Sequence, residues 1–533
     1  AFYVINCRGV SHWADEQAAP GSPCRERILM GTLDARLIAL DARTGAACAG
    51  FGAAGEVDLT EGIGDIDPGE YAVTSPPAIV DDRVVTGTMI LDNRRVDAPG
   101  GVVRAFDVRS GRLVWDWDPV APGRPKRGEP GYVRGTTNAW SAFSVDPERA
   151  LVYVPTGNTS SDYYGGHRDG ADHWSSSVVA LDAADGSVRW SFQTVHHDVW
   201  DYDVPAQPVL LPFRAGGGRE LPGLVVPTKM GHLFFLNRET GEPLHPVEER
   251  PVPQAGSVPG EALSPTQPFP VRPPPLHPTR LDPDDAFGFT PWDRAACRQA
   301  LEGLRSDGLF TPPSLQGSVQ YPGMIGGFNW GSVAADPDRG LVVGNTQRLA
   351  TRIRLIPRAE FERMFEGEPP LFGFEPQSGT PYALERVPLL SPSGVPCNPP
   401  PWGTLAAVDV ESGELRWEVT LGTTRDLVPR SRLLAPFASV LSLPLGAPNL
   451  GGPRVTASGL VFIGATTDFF LRAFDIDDGD ELWRVRLPTA AHATPMTYRV
   501  RPEGRQFVVI AAGGHGILGT PPSDALIAFA LAR

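Results

Sequence analysis

Between residues 196 and 203 the chain gathers four ring side chains (His196, His197, Trp200, Tyr202) and three carboxylates (Asp198, Asp201, Asp203). The run Thr194-Val-His-His-Asp-Val-Trp-Asp-Tyr-Asp203 follows directly on a predicted strand ending in Val188-Arg-Trp-Ser-Phe-Gln193. Apolar walls with a few convergent acids suit a site that holds a flat ligand and removes a proton. Asp201 is the candidate general base, because an apolar neighbour such as Trp200 raises the basicity of a carboxylate. The alternative is that Asp201 only caps a turn, as Asp198 or Asp203 would.

A scaffold must place that segment. The 533 residues include 59 Gly and 56 Pro, together ~22 % of the chain and well above average usage. Long helical periods are scarce, so many short strands joined by turns are expected. A motif recurs: apolar strand, Asp or Asn, three residues, Gly, then often Trp four residues on. It stands at Asp41/Gly45, Asp107/Gly111/Trp115, Asp182/Gly186/Trp190, Asn237/Gly241, Asp409/Gly413/Trp417 and Asp475/Gly479/Trp483. The Asp-to-Gly stretch reads as a tight hairpin turn, and the Trp as a wedge between neighbouring sheets. A second repeat matches Trp140…Asp146-Pro147…Gly157-Asn158 with Trp330…Asp336-Pro337…Gly344-Asn345. Repeated four-stranded units of this kind close into an all-β propeller.

The whole chain, 1–533, reads as a single propeller domain with two long excursions, 249–290 and 350–400. The first carries Pro273-Pro-Pro275, which excludes a central strand. The second has helical character near Arg358–Phe365. A terminal strand at Ala525–Ala530 is expected to complete another unit with the N-terminal segment. The chain begins at Ala1 in what reads as the middle of a strand–loop unit, so a leader, a membrane anchor or a first repeat is expected to precede it.

Formal charge of −15, from 47 Lys+Arg against 62 Asp+Glu, argues against a nucleic-acid surface. No window approaches the ~20 apolar residues of a membrane span. The five cysteines (Cys7, Cys24, Cys48, Cys297, Cys397) form neither CxxC nor CxxCH, which argues against a zinc knuckle and against covalently held haem. One or two disulfides are possible in an oxidising compartment. The pairing stays open.

Cys7-Arg-Gly-Val10, Thr74-Ser-Pro-Pro77, Gln193-Thr-Val-His-His-Asp-Val-Trp-Asp201, Phe310-Thr-Pro-Pro313 and Ala512-Gly-Gly-His-Gly516 occur in this order along nearly the whole chain. In this the sequence resembles the membrane-associated quinoprotein dehydrogenases of the glucose/quinate/shikimate type, which use pyrroloquinoline quinone (PQQ). The resemblance implies an eight-bladed propeller, an N-terminal anchor, a location on the periplasmic side of the inner membrane, and electron transfer to ubiquinone through the membrane part. It also implies oxidation of a small hydroxylated substrate: a sugar, cyclic polyol or hydroxy acid such as quinate. A non-catalytic propeller scaffold built on the same repeat is the rival reading.

By this resemblance Asp201 takes the hydroxyl proton, and Ca²⁺ or Mg²⁺ polarises the acceptor carbonyl. Candidate oxygen ligands are Asp92 or Asn93, Asn158 and Asp201. Trp140 is the implied floor under the flat cofactor, and Arg8 pairs with a cofactor carboxylate. Lys229, placed on a predicted strand 224–230, donates to the quinone oxygens. Ser75, Asn345 and Asp468 are further pocket candidates, and His515 a channel-lining one. Glucose-oxidising members carry a His shortly after Cys-Arg-Gly-Val. Here Trp13 takes that place, with His12 one step earlier, and the pair is expected to form a substrate lid that disfavours glucose.

Overall fold

A computed structural model describes residues 6–215, 218–365, 367, 370, 373–426 and 442–531. Seven of its antiparallel sheets follow one another along the chain as blades, spanning residues 11–58, 78–117, 144–193, 209–237, 333–420, 454–486 and 496–529. The fourth and last have three strands, and the others four. The first strand of one blade lies against the first strand of the next. Ser11–Ala14 meets Ala78–Val80, which meets Ser144–Asp146, and Val209–Ala215 meets Val333–Asp336, which meets Arg454–Val455. The chain is thus an all-β propeller whose inner strands ring a common axis.

The repeat motif explains how the blades lock. The Trp115 indole donates to the Ala183 carbonyl of the following blade at 3.0 Å, Trp190 to Arg238 at 3.1 Å and Trp417 to Ile476 at 2.8 Å. Each ring lies on the turn glycine of that next blade. A Cβ on Gly186, Gly241 or Gly479 would sit 2.6–2.7 Å from the ring, and all three glycines have positive φ. The expected wedge is therefore a two-blade joint, with the Trp from one unit and its seat from the next.

The terminal strand falls in the last blade, of which three strands are described. Ser11–Ala14 pairs with Glu26–Gly31 in the first blade, whereas Ala525–Phe529 pairs with Gln506–Ala512 in the last. The expected completion of that unit by the N-terminal segment falls in part on residues 1–5, which lie outside the described residues.

The first excursion forms a hairpin, Val247–Pro251 with Thr266–Pro270, followed by the helix Pro291–Glu302. The second contains the helix Arg358–Met364. It also builds most of a sheet that is not a blade, ordered Ser318–Gln320, Thr351–Pro357, Tyr382–Pro388, Phe374–Glu375. Ile353, Leu355, Tyr382 and Leu384 of this inserted sheet pack on Tyr163, Tyr164 and Val258. Cys24 is bonded to Cys48 and Cys297 to Cys397, while Cys7 is free and exposed. Among the described residues no helix is long and apolar enough to cross a membrane.

Candidate active site

Loops from all seven blades and from the inserted sheet enclose a cavity of about 220 Å³ near the axis. Arg8, Asp92, Asn93, Trp140, Asp201, Lys229 and His515 line it, so the structure brings together most of the residues singled out from the sequence.

Asp201 is at the centre of the polar floor. Its φ of 58° lies in the left-handed region, where Asp is among the few side chains tolerated. The sharp turn sends the flanking rings away from the cavity. The Trp200 indole donates to the Thr311 carbonyl and the Tyr202 hydroxyl to that of Pro322, both in the core. The carboxylate faces two cations instead. Lys229 Nζ lies 2.5 Å from Asp201 Oδ1, and Arg386 Nη1 lies 3.0 Å from Oδ2. The apolar wall expected from Trp200 is therefore not what surrounds Asp201.

Lys229 is not on a strand. It stands in the turn after Arg219–Pro227, closed by Thr228 N–H to the His232 carbonyl. Gly326 packs so tightly on it that a Cβ would fall 2.7 Å from the Lys229 backbone. Its ammonium bridges Asp201 and Asp203, the latter at 2.6 Å. Burial would lower Lys229, but the two carboxylates overcome it and hold the pKa above the ordinary lysine value. Asp203 in turn accepts from the Trp140 indole at 2.6 Å. Burial pushes Asp203 up to about 6 against the pull of Lys229.

Two further acids complete the floor. Asp92 accepts from Asn138 at 2.7 Å, and burial with the charges of Asp201 and Asp203 pushes it up to about 7. Asp162 is gripped by Asn93, whose amide donates to its carboxylate and accepts from its backbone N–H. Burial and Asp92 raise Asp162 well above the carboxylate range. Asp162 Oδ1 and Asn138 Oδ1 are buried without hydrogen-bond partners. Crowded carboxylates, partnerless oxygens and an oxygen-only donor set fit a hard divalent cation. Among the described residues no three acidic, His or Cys side chains already converge on one point.

Above the floor, Arg8 lies over two indoles, 4.9 Å from the Trp140 centroid and 5.4 Å from that of Trp330. Its guanidinium donates to Thr74 Oγ1 at 2.6 Å and Ser75 Oγ at 3.4 Å. Burial lowers Arg8 to about 9, leaving it a cation at neutral pH. Ser75 buttresses this wall by donating to the Trp140 carbonyl. Broad indole faces beside a buried guanidinium suit a flat, multiply anionic ligand.

Other expected residues lie elsewhere. Asn158 is buried, with Oδ1 taken by the Ser175 and Ser176 hydroxyls, and does not line the cavity. Asn345 spends its amide on Asn449 and Gly451 in the loop leading to the sixth blade. Asp468 is committed to a buried pair with Arg472, which holds its pKa below the ordinary value despite burial. Trp13 is in the core of the first blade, under the guanidinium of Arg109, and His12 faces Glu26 outside it. Neither forms a lid. On a strand, alternation sends one of two neighbours inward and the other out to solvent, and here neither direction is toward the axis.

Sequence reasoning missed Asp162, Asp203, Trp330, Glu375 and Arg386. Asp203 shares the motif of Asp201, and Trp330 is the repeat equivalent of Trp140, so both had a signal. Glu375 and Arg386 come from the inserted sheet and had none.

Fold and site define a propeller with a buried acid–ammonium centre at its axis, the architecture of quinone-cofactor dehydrogenases. Residues 1–508 match the PQQ family described as glucose/ethanol/alcohol dehydrogenase, beta-propeller domain, and the chain belongs to that family. It is 41 % identical to the glycerol dehydrogenase large subunit of Gluconobacter oxydans (strain 621H), over 99 % of this chain and 72 % of that protein. It is 40 % identical to the quinate/shikimate dehydrogenase (quinone) of Acinetobacter baylyi, over 99 % of this chain and 67 % of that protein. Among solved structures, a europium-containing methanol dehydrogenase superposes with a TM-score of 0.64 at 20 % identity, covering 97 % of this chain and 76 % of that one, a likeness of fold.

Proposed function

We propose that this chain is a PQQ-dependent dehydrogenase that oxidises a secondary or primary hydroxyl of a sugar, cyclic polyol or hydroxy acid and passes the electrons to a quinone. The observation that carries this reading is Asp201, held between Lys229 and Arg386 on the floor of a cavity walled by Trp140, Trp330 and Arg8. When bound, PQQ supplies an electrophilic carbonyl system that accepts a hydride.

The chain's own residues do the rest. Asp201 accepts the hydroxyl proton, the change that releases hydride from the same carbon. Lys229, kept charged by Asp201 and Asp203, stabilises negative charge that develops beside it. Trp140 and Trp330 supply stacking faces, and Arg8 with Thr74 and Ser75 forms the anion-binding edge. Asp92 and Asp162, with the side-chain carbonyl oxygens of Asn93 and Asn138, would be the oxygen donors for Ca²⁺ or Mg²⁺. A scaffold would have no use for this concentration of buried charge, which costs stability wherever it is not employed.

Two disulfides fit an oxidising compartment, and we assign the domain to the periplasmic side of the inner membrane with ubiquinone as acceptor. Reconstitution with PQQ and Ca²⁺ or Mg²⁺, followed by dye reduction across sugars, polyols and hydroxy acids, tests the activity. Cofactor binding without reduction by any substrate would refute it.

A further inference from the structure

Behind the polar floor, one side chain joins the loop that carries Asp162 to the turn that carries Asp201. The loop runs over residues 156–176, between the third-blade strands Leu151–Pro155 and Ser177–Asp182, with no strand or helix of its own. Loops longer than about 12–15 residues of that kind are uncommon and usually functional. Arg168 lies within it, with its side chain wholly buried, and it does not line the cavity. Arg168 Nη1 donates to the Asp198 carbonyl at 2.7 Å. Nη2 donates to the Ser161 carbonyl and, at 3.1 Å, to that of Asp162. Asp172 is 3.5 Å from Nη1 and is itself bonded to His197 at 2.8 Å. The guanidinium is thus spent on backbone oxygens more than on a closed ion pair.

Both held segments are fixed from a second side as well. Asn93 accepts from the Asp162 N–H at 3.0 Å. The Asp198 carboxylate accepts from the Trp200 N–H at 2.8 Å and from the Ser176 hydroxyl at 2.7 Å. The loop is also tied to the first excursion, where Glu261 accepts from the Gly165 N–H and meets His197, each at 2.7 Å. A buried ion costs stability unless its donors are employed, and a rigid planar fork is the group suited to fixing several oxygens at once.

We propose that Arg168 is a positioning residue, which sets the spacing between the metal-binding acid Asp162 and the base Asp201 by holding the backbone of both segments. The inference rests on the roles assigned above to those two carboxylates. A lysine at this position keeps the charge that faces Asp172 but offers one nitrogen in place of two.

The test measures Ca²⁺ binding by calorimetry, turnover with PQQ, and amide hydrogen exchange on the full chain carrying Arg168→Lys or Arg168→Met. Ca²⁺ affinity should fall about 10- to 100-fold in both variants, the usual loss when a group supporting a metal site is removed. At saturating Ca²⁺, kcat should remain depressed while KM for the substrate stays near its wild-type value. Exchange should quicken at residues 161–163 and 198–201. Arg168→Lys decides the matter if Arg168→Met does not fold. Wild-type Ca²⁺ affinity and kcat in Arg168→Lys, or a lowered Tm as its sole change, overturn the assignment. An unsubstituted chain that neither binds Ca²⁺ nor oxidises any substrate refutes the dehydrogenase reading instead. Exchange then decides on Arg168: faster exchange at both segments upholds its positioning of them, and unchanged exchange removes it.

Discussion

The floor of the cavity and its inserted wall both hold buried charge, but they hold it differently. On the floor, Lys229 is seated in a tight turn under Gly326 and bridges Asp201 and Asp203, while Asn138 and Asn93 grip Asp92 and Asp162. These contacts cross from blade to blade. In the wall, Glu375 and Arg386 belong to two strands of a single sheet outside the blade series, and their mutual contact is long. The floor is cross-braced for chemistry that every substrate shares. The wall is local, so it can change with little effect on the ring, and there substrate discrimination is easiest to build.

The largest effect that would sharpen this contrast is on the floor. Asp201→Asn should lower kcat by about 10³-fold, within the range for loss of a general base. PQQ affinity, followed by quenching of tryptophan fluorescence, should stay within a few-fold. A joint loss of binding and turnover would move Asp201 from base to cofactor holder. Next in size is Lys229→Ala. It leaves Asp201 and Asp203 without their shared ammonium and should cost roughly 3 kcal/mol in chemical denaturation. Adding Asp203→Asn should recover part of that stability without restoring turnover. Full recovery of turnover would contradict a catalytic part for Lys229.

A third test addresses the joint between floor and first excursion. His197 Nδ1 is 2.8 Å from Asp172 and Nε2 is 2.7 Å from Glu261. Burial would lower the imidazolium, but the bonds to Asp172 and Glu261 raise it to about 9. A folded pKa above the unfolded 6.5 gives stability that is complete below pH 6.5 and is lost as pH rises through about 9. Wild-type Tm should therefore fall across that window, and His197→Gln should flatten this part of the profile. An unchanged slope would show the clamp to be neutral. The smallest effect is expected at the first blade. Trp13→His should lower Tm through lost core packing while leaving the ranking of substrates unaltered. A reordered ranking would bring back the lid.

The turn Asp, the Gly and the Trp each have a local reason to recur, so the propeller was legible from the chain. Asp201, Lys229, Trp140 and Arg8 were singled out together by the family resemblance, and the ring brings the strand ends near them to one axis. Asn158 and Asn345 stand at equivalent points of the second repeat, yet the first is held by Ser175 and Ser176 and the second by Asn449 and Gly451. No periodicity reveals which of two equivalent residues is already bonded. The lid failed because Trp13 and His12 stand on a blade strand whose two faces turn to the first-blade core and to solvent, and neither turns to the axis. Arg386 reaches Asp201 only through an inserted sheet, whose pairing depends on long-range packing against Tyr163 and Tyr164.

The indole joints between blades have a historical consequence. Since Trp115, Trp190 and Trp417 each dock on a neighbour's Gly186, Gly241 or Gly479, no unit owns a complete seam. Each unit at these three seams carries half of a shared fastener, the ring on one side and its glycine seat on the other. A gene could therefore gain or shed units by recombination and still yield a sealed circle, leaving the residues that face the hub free to diverge toward new alcohols.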